Sequence, residues 1–184
     1  MKDSVCAVVV TYNRKSLLIE CLEALKSQTR PVQAIYLIDN ASTDGTPEYL
    51  LEKGFIKDLL NKKLKEPWEK EYEINNVLDG NSIKLFYLRM HENTGGAGGF
   101  YEGVKRGYEK GYDWLWLMDD DTIPTKSALE NSLECSLKVS NIGYIYSKVL
   151  WIDKTPHLMY IPSIKSLINN VPFNRYEEDN LFLV

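Results

Sequence analysis

The chain has 184 residues, 44% of them hydrophobic and 26% charged, with a formal net charge of −4. That length predicts about one domain with a substantial core, and the acidic balance argues against nucleic acid as the main partner. No run approaches the ~18 apolar residues of a membrane span, and the apolar run near Met1 is too short for the core of a signal peptide.

Residues 5–10, VCAVVV, are continuous and β-branched, which predicts a strand covered on both faces. TYNR then breaks the pattern. Asn13 is placed to cap a helix whose apolar face is Leu17, Leu18, Cys21, Leu22 and Leu25, and QTRP stops that helix. AIYLID (34–39) predicts a second strand and NASTDG a turn. Thr46 and Pro47 open a helix that Gly54 closes. Residues 55–80 carry a dense run of charge split by Pro67 and read as a solvated helical excursion. IKLFYL (83–88) predicts a third strand and ENTGGAGG a glycine-rich loop. FYEGVKRGYEKG predicts a helix with Phe100, Val104 and Tyr108 on one face. WLWLM (114–118) is a fourth strand, TKSALENSLECSLK a helix, and IGYIYSKVLWI a further strand. The three cysteines, Cys6, Cys21 and Cys135, are far apart and set in apolar patterns. They fit reduced thiols in a cytoplasmic protein better than a disulfide framework.

Alternating strands and helices predict an α/β fold, a mostly parallel central sheet with helices on both faces. In such sheets ligands bind beyond the carboxyl ends of the strands. Four polar clusters fall there: TYNR, DNASTDG, RMHENTGGAGG and DDD. Three consecutive aspartates repel one another unless a cation neutralises them, and oxygen donors suit Mg2+ or Mn2+. Extended geometry puts Asp119 and Asp121 on one side as the metal pair and Asp120 on the other; the bland alternative is an acidic turn that caps the next helix. The glycine run lets backbone approach phosphate oxygens, or is simply a flexible turn. Neither a G-x-G-x-x-G dinucleotide fingerprint nor a P-loop is present. Asp39, ending an apolar strand, can accept from the imide N–H of uracil or thymine, or can initiate a turn. Tyr12 offers a ring for stacking on the base.

Taken as a set, VVVTYNR, LIDNASTDGT, ENTGGAGGF and WLWLMDDDTIP resemble the nucleotide-sugar-binding half of family 2 glycosyltransferases, the inverting enzymes of GT-A fold. NTGGAGGF is most similar to the galactofuranosyltransferase and rhamnosyltransferase branch. The resemblance spans roughly residues 4 to 130. It implies a nucleotide pocket lined by Thr11, Tyr12 and Arg14, with Asp39 at the base and Arg89, Asn93, Gly95 and Gly96 near the ribose and diphosphate. It implies Asp119 and Asp121 on the metal and Asp120 on the ribose or sugar side. Residues 1–150 would then be the donor-binding domain and 151–184 the start of an acceptor-side region.

The implied reaction is transfer with inversion from a UDP- or dTDP-sugar to a glycan or lipid-linked acceptor. The general base is expected beyond Val184, on a chain that reads as cut short. Glu177, Glu178 and Asp179 are the alternative inside the chain, with Asp179 as the candidate. A missing half would leave an apolar surface open to self-association, and peripheral membrane association of a longer protein also stays open. Two rivals remain at this point: a non-catalytic nucleotide-sugar-binding module, and a sugar nucleotidyltransferase. The second would require a glycine-rich basic signature where TYNRKS stands.

Overall fold

The computed structural model describes residues 3–60, 63–138, 142–147, 149–151 and 153–155. The chain divides into two compact units, residues 1–129 and 130–184. In the first unit β1 (Val5–Thr11), β2 (Ala34–Asp39), β3 (Trp68–Asn75), β4 (Ser82–Arg89) and β5 (Trp114–Asp119) form one sheet in the order β3-β4-β2-β1-β5. β1 pairs in parallel with β2 and β5, and β2 with β4; only β3 runs antiparallel, on β4. β1 and β2 are buried at every position, as their continuous apolar runs require.

Helices cover both faces. On one side α3 (Gly95–Glu109) lies against β1, β2 and β5. There Cys6, Val8, Val10, Ala34, Tyr36, Ile38, Phe86, Leu88 and Met90 form a continuous core with Phe100 and Leu115 packed on it. On the other side α1 (Lys15–Lys26) buries Leu18, Cys21, Leu22 and Leu25. Its Cys21 Sγ lies 3.8 Å from Met118 Sδ, and Leu17 stays exposed. α2 is Thr46–Glu52, and Gly54 closes it with φ +77°. α4 spans Ala128–Ser136. Cys6, Cys21 and Cys135 are free thiols, and burial pushes Cys6 and Cys21 up to about 12, far from reactive. Among the described residues no helix is long and apolar enough to cross a membrane.

Four local expectations need correction. Residues 68–75 form a strand where a helical excursion was expected. Trp68, Tyr72 and Ile74 share one face and pair with the β4 backbone, while Glu69, Glu71 and Glu73 occupy the other. Charge on an outermost strand discourages edge-to-edge association, so the polar run disguises a period-two pattern. Second, the run expected as a strand over 142–152 has no strand at 142–147 and a lone bridge at Leu150 among its described residues; β-branched and aromatic composition makes no strand without a paired neighbour.

Third, the GGAGG run is the first turn of α3 rather than a loop. Gly99, Gly103 and Gly107 are its buried positions, whereas Tyr108 of the expected apolar face is 78% exposed. A Cβ on Gly99 would stand 2.6 Å from Val10 Cγ1, and one on Gly107 2.6 Å from Leu115 Cδ2. The helix therefore lies too close to the sheet for a side chain.

Fourth, Asn13 does not cap α1. It adopts φ +56°, and its side-chain oxygen accepts from Thr43 N–H at 2.6 Å. The cap comes from Asp44: Lys15 N–H donates to its Oδ2 at 3.2 Å, while Thr46 N–H and Oγ1–H donate to Oδ1 at 3.1 and 2.5 Å. One carboxylate thus serves the N-termini of α1 and α2. Burial pushes Asp44 up, but the bonds from Thr46 and Lys15 outweigh it and hold the group below its ordinary value. A depressed carboxyl contributes stability above its unfolded pKa that is lost as pH falls through the folded value. Asp44→Ala is expected to cost about 1–2 kcal/mol at pH 7. The difference should shrink below about pH 4, where wild type loses the same interaction; urea unfolding at the two pH values reads it.

Candidate functional site at the carboxyl edge of the sheet

β1, β2, β4 and β5 end side by side, because the register pairs Thr11 with Asp39, Asp39 with Arg89 and Val10 with Asp119. Thr11, Asp39, Arg89 and Asp119–Asp121 therefore converge from segments far apart in sequence. Each strand ends there because polar or turn-forming residues replace its apolar run.

The acidic end of β5 is a turn closed by Thr122 N–H donating to Asp119 O at 3.2 Å. Asp119 and Asp121 are exposed, and Asp120 is buried at 3% exposure. Thr11 Oγ1–H donates to Asp120 Oδ2 at 2.6 Å. Arg14, which precedes α1, reaches back with Nη1 2.8 Å from Asp121 Oδ2 and 3.5 Å from Asp120 Oδ1. Burial raises the pKa of Asp119, with the Asp121 charge adding to it and Arg14 opposing. Burial also raises Asp120, against the Thr11 bond and Arg14. Gln28, buried, holds the segment beyond the aspartates: its Nε2–H donates to Thr125 O at 2.9 Å, and Leu129 N–H donates to its Oε1 at 3.2 Å.

Asp39 is wholly buried. Ser42 N–H donates to Oδ1 at 2.8 Å, Tyr87 Oη–H to Oδ2 at 2.7 Å, and Arg89 forms an ion pair with the same Oδ2. Arg89 Nη2–H also donates to Ser42 O at 2.6 Å. Burial, together with the Asp39 charge, drives the Tyr87 phenol far above its ordinary value, so it remains a donor. Asp39 anchors Arg89, and the Ser42 bond to its Oδ1 closes the turn that begins at Asp39. Tyr12, directly after β1, is 43% exposed.

Asn40 completes the edge and was not singled out from sequence. Its Nδ2–H donates to Asn93 Oδ1 at 2.9 Å and Gly95 O at 3.0 Å, and Thr94 N–H donates to its Oδ1 at 3.0 Å. Gly95 N–H donates to Asn93 Oδ1 at 2.8 Å, and Gly95 takes φ +72°. The start of α3 is thus tied to the end of β2, with Asn93, Gly95 and Gly96 exposed on the same edge as Tyr12 and Arg14. Only the NASTDG turn hinted at Asn40, and Gln28 carried no signal beyond its place at a helix end. Asp179, with Glu177 and Glu178, lies outside the described residues.

Among the described residues no three His, Cys, Asp or Glu side chains form a metal-holding group. At the end of β5, Asp119 and Asp121 are exposed carboxylates, which are hard oxygen donors. That fits Mg2+ or Mn2+, which are commonly held by one or two carboxylates with phosphate oxygens and water completing the shell.

The profile described as Glycosyl transferase family 2 matches residues 6–138. The chain is 31% identical over 161 residues to galactofuranosyltransferase GlfT1 of Mycobacterium tuberculosis, covering 87% of this chain and 44% of that protein. It is 28% identical over 158 residues to the GlfT1 of Mycolicibacterium smegmatis, covering 86% and 43%. The chain therefore spans less than half the length of these relatives. Among solved structures, S. aureus TarS 1-349 in complex with UDP superposes with a TM-score of 0.52 at 18% identity, covering 79% of this chain and 39% of that one. The complex of the same protein with UDP-GlcNAc gives 0.51 at 19% identity, covering 79% and 38%. These likenesses extend to the fold.

Proposed function

The chain belongs to glycosyl transferase family 2, and from that premise we propose that its carboxyl edge binds the nucleoside diphosphate of a sugar donor for an inverting glycosyl transfer. Galactofuranose is the favoured sugar, since the GlfT1 proteins carry that activity in their name, and UDP or dTDP the favoured carrier. The acceptor is a glycan or a lipid-linked acceptor. The observation that carries the proposal is the convergence of Thr11, Arg14, Arg89 and the three aspartates on one edge, beside the backbone at Gly95 and Gly96. Family membership favours a transferase over the binding-module and nucleotidyltransferase alternatives.

Tyr12 stacks on the base with Asp39 on the base side, and Arg89, held by Asp39 and Ser42, stands near the ribose and diphosphate. Asp120, fixed by Thr11, stands toward the ribose or sugar. Asp119 and Asp121 hold a divalent cation, which when bound supplies Lewis-acid stabilisation of the leaving diphosphate. A separate carboxylate deprotonates the acceptor hydroxyl, and attack opposite the leaving group inverts the anomeric centre. The test is a thermal-shift comparison of UDP, dTDP, ADP and a UDP-sugar with Mn2+ present. A ligand at about 100 times its Kd adds about 2.7 kcal/mol to native stability. UDP and the UDP-sugar should raise the melting temperature and ADP should not; equal shifts with ADP would remove base selection from this edge.

A further inference from the structure

We infer that Arg14 is the internal counter-ion of the β5 acidic turn: its guanidinium holds Asp120 and Asp121 in place of a divalent cation, must turn away for that cation to bind, and so sets cation affinity. This inference rests on the metal reading above.

Local rules disfavour a cation where Arg14 stands. It is the residue immediately before α1, at the positive end of the helix dipole, where Asp, Ser or Asn is preferred. The first turn of α1 holds no acidic residue, and Lys15 follows directly. Nor does Arg14 cap the helix, since its side chain makes no capping bond and Asp44 performs that task from another loop. A residue that breaks the local pattern without serving its own helix is placed for something else.

Its surroundings say what. Lys15 is already committed, with Nζ–H donating to Asp44 O at 2.7 Å. Among the ion pairs of the described residues, Arg14 alone touches the acidic turn. It bridges one buried and one exposed carboxylate, whose side chains are 4% and 49% exposed. The arginine itself is 52% exposed, which leaves it room to swing outward. A guanidinium and a divalent cation compete for the same carboxylate oxygens, and both cannot sit against Asp121 Oδ2 at 2.8 Å. When a cation takes that oxygen, Arg14 is released, and its fork suits phosphate oxygens.

The test is Mn2+ alone, without nucleotide, titrated into wild type, Arg14→Ala, Arg14→Lys and Asp121→Asn, with free Mn2+ read by electron paramagnetic resonance. Circular dichroism and melting temperature check that each variant folds. Arg14→Ala is expected to bind Mn2+ roughly three- to tenfold more tightly than wild type, since an exposed competing ion pair is removed. Arg14→Lys, which keeps the charge, should stay within about twofold of wild type. A purely structural role for Arg14 cannot tighten Mn2+ binding. Equal or weaker binding by Arg14→Ala, with Asp121→Asn abolishing binding, overturns the counter-ion role and leaves the metal site standing. Wild-type affinity in Asp121→Asn overturns the metal reading and this inference with it, and no Mn2+ binding by any of the proteins overturns the inference that Arg14 sets cation affinity.

Discussion

Asp39→Ala is expected to destabilise the protein by about 3–5 kcal/mol, the cost of leaving a largely buried partner charge without its counterpart. Arg89 is 21% exposed and Asp39 not at all, so water cannot replace the lost carboxylate where it is missed. Tyr87 Oη and Ser42 N–H lose their acceptor at the same time. Two companion variants separate the contributions. Tyr87→Phe removes one donor and should cost about 1 kcal/mol. Asp39→Ala combined with Arg89→Leu should recover part of the loss, because removing both members of a buried pair is less damaging than removing one. Urea unfolding with an unchanged m-value measures all three. A loss below about 1 kcal/mol for Asp39→Ala would mean that Arg89 finds solvent or another acceptor, and that the pair does not hold the edge together.

The contact of α3 with the sheet gives the second large effect. Gly99→Ala gains helix propensity worth about 1 kcal/mol. It also drives a methyl to 2.6 Å from Val10 Cγ1, with Cγ2 at 3.3 Å and Cβ at 3.5 Å behind it. A β-branched valine in a strand buried on both faces cannot rotate aside cheaply. Overpacking of this kind costs typically 1–3 kcal/mol, so after the propensity gain the net loss is expected at up to about 2 kcal/mol. Gly96→Ala is the internal control: nothing lies within 4 Å of its added Cβ, so it should be neutral or stabilising by up to about 1 kcal/mol. If both substitutions stabilise, α3 has room to lift away and the close approach is not a constraint.

The two glycines show where sequence reading stops. GGAGG looks the same whether the residues free a loop to approach phosphate or let a helix press against a sheet. Only the placement of Val8, Val10 and Leu115 under α3 decides between them. The parallel strands were legible because burial on both faces leaves long β-branched runs. Their order made the carboxyl edge legible in turn, including the polar clusters at Thr11–Arg14 and Asp119–Asp121. β3 was not legible, since its edge position fills every second site with charge and hides Trp68, Tyr72 and Ile74. Asp44 capping α1, Asn40 tying the start of α3 and Gln28 holding Thr125 were out of reach for a common reason. Each acts between segments that only the folded sheet brings together. The sequence marks Arg14 as a nucleotide contact; its bond to Asp121 is visible only in the folded edge.

The proposal that this edge holds a diphosphate through a carboxylate-bound cation is tested most directly by calorimetric titration of UDP into the protein with Mn2+ and, separately, with chelator. UDP should bind more tightly with Mn2+, and Asp121→Ala should erase that difference while keeping the wild-type circular dichroism spectrum. The same UDP affinity with chelator as with Mn2+ in the wild-type protein would contradict the cation's place at Asp119 and Asp121.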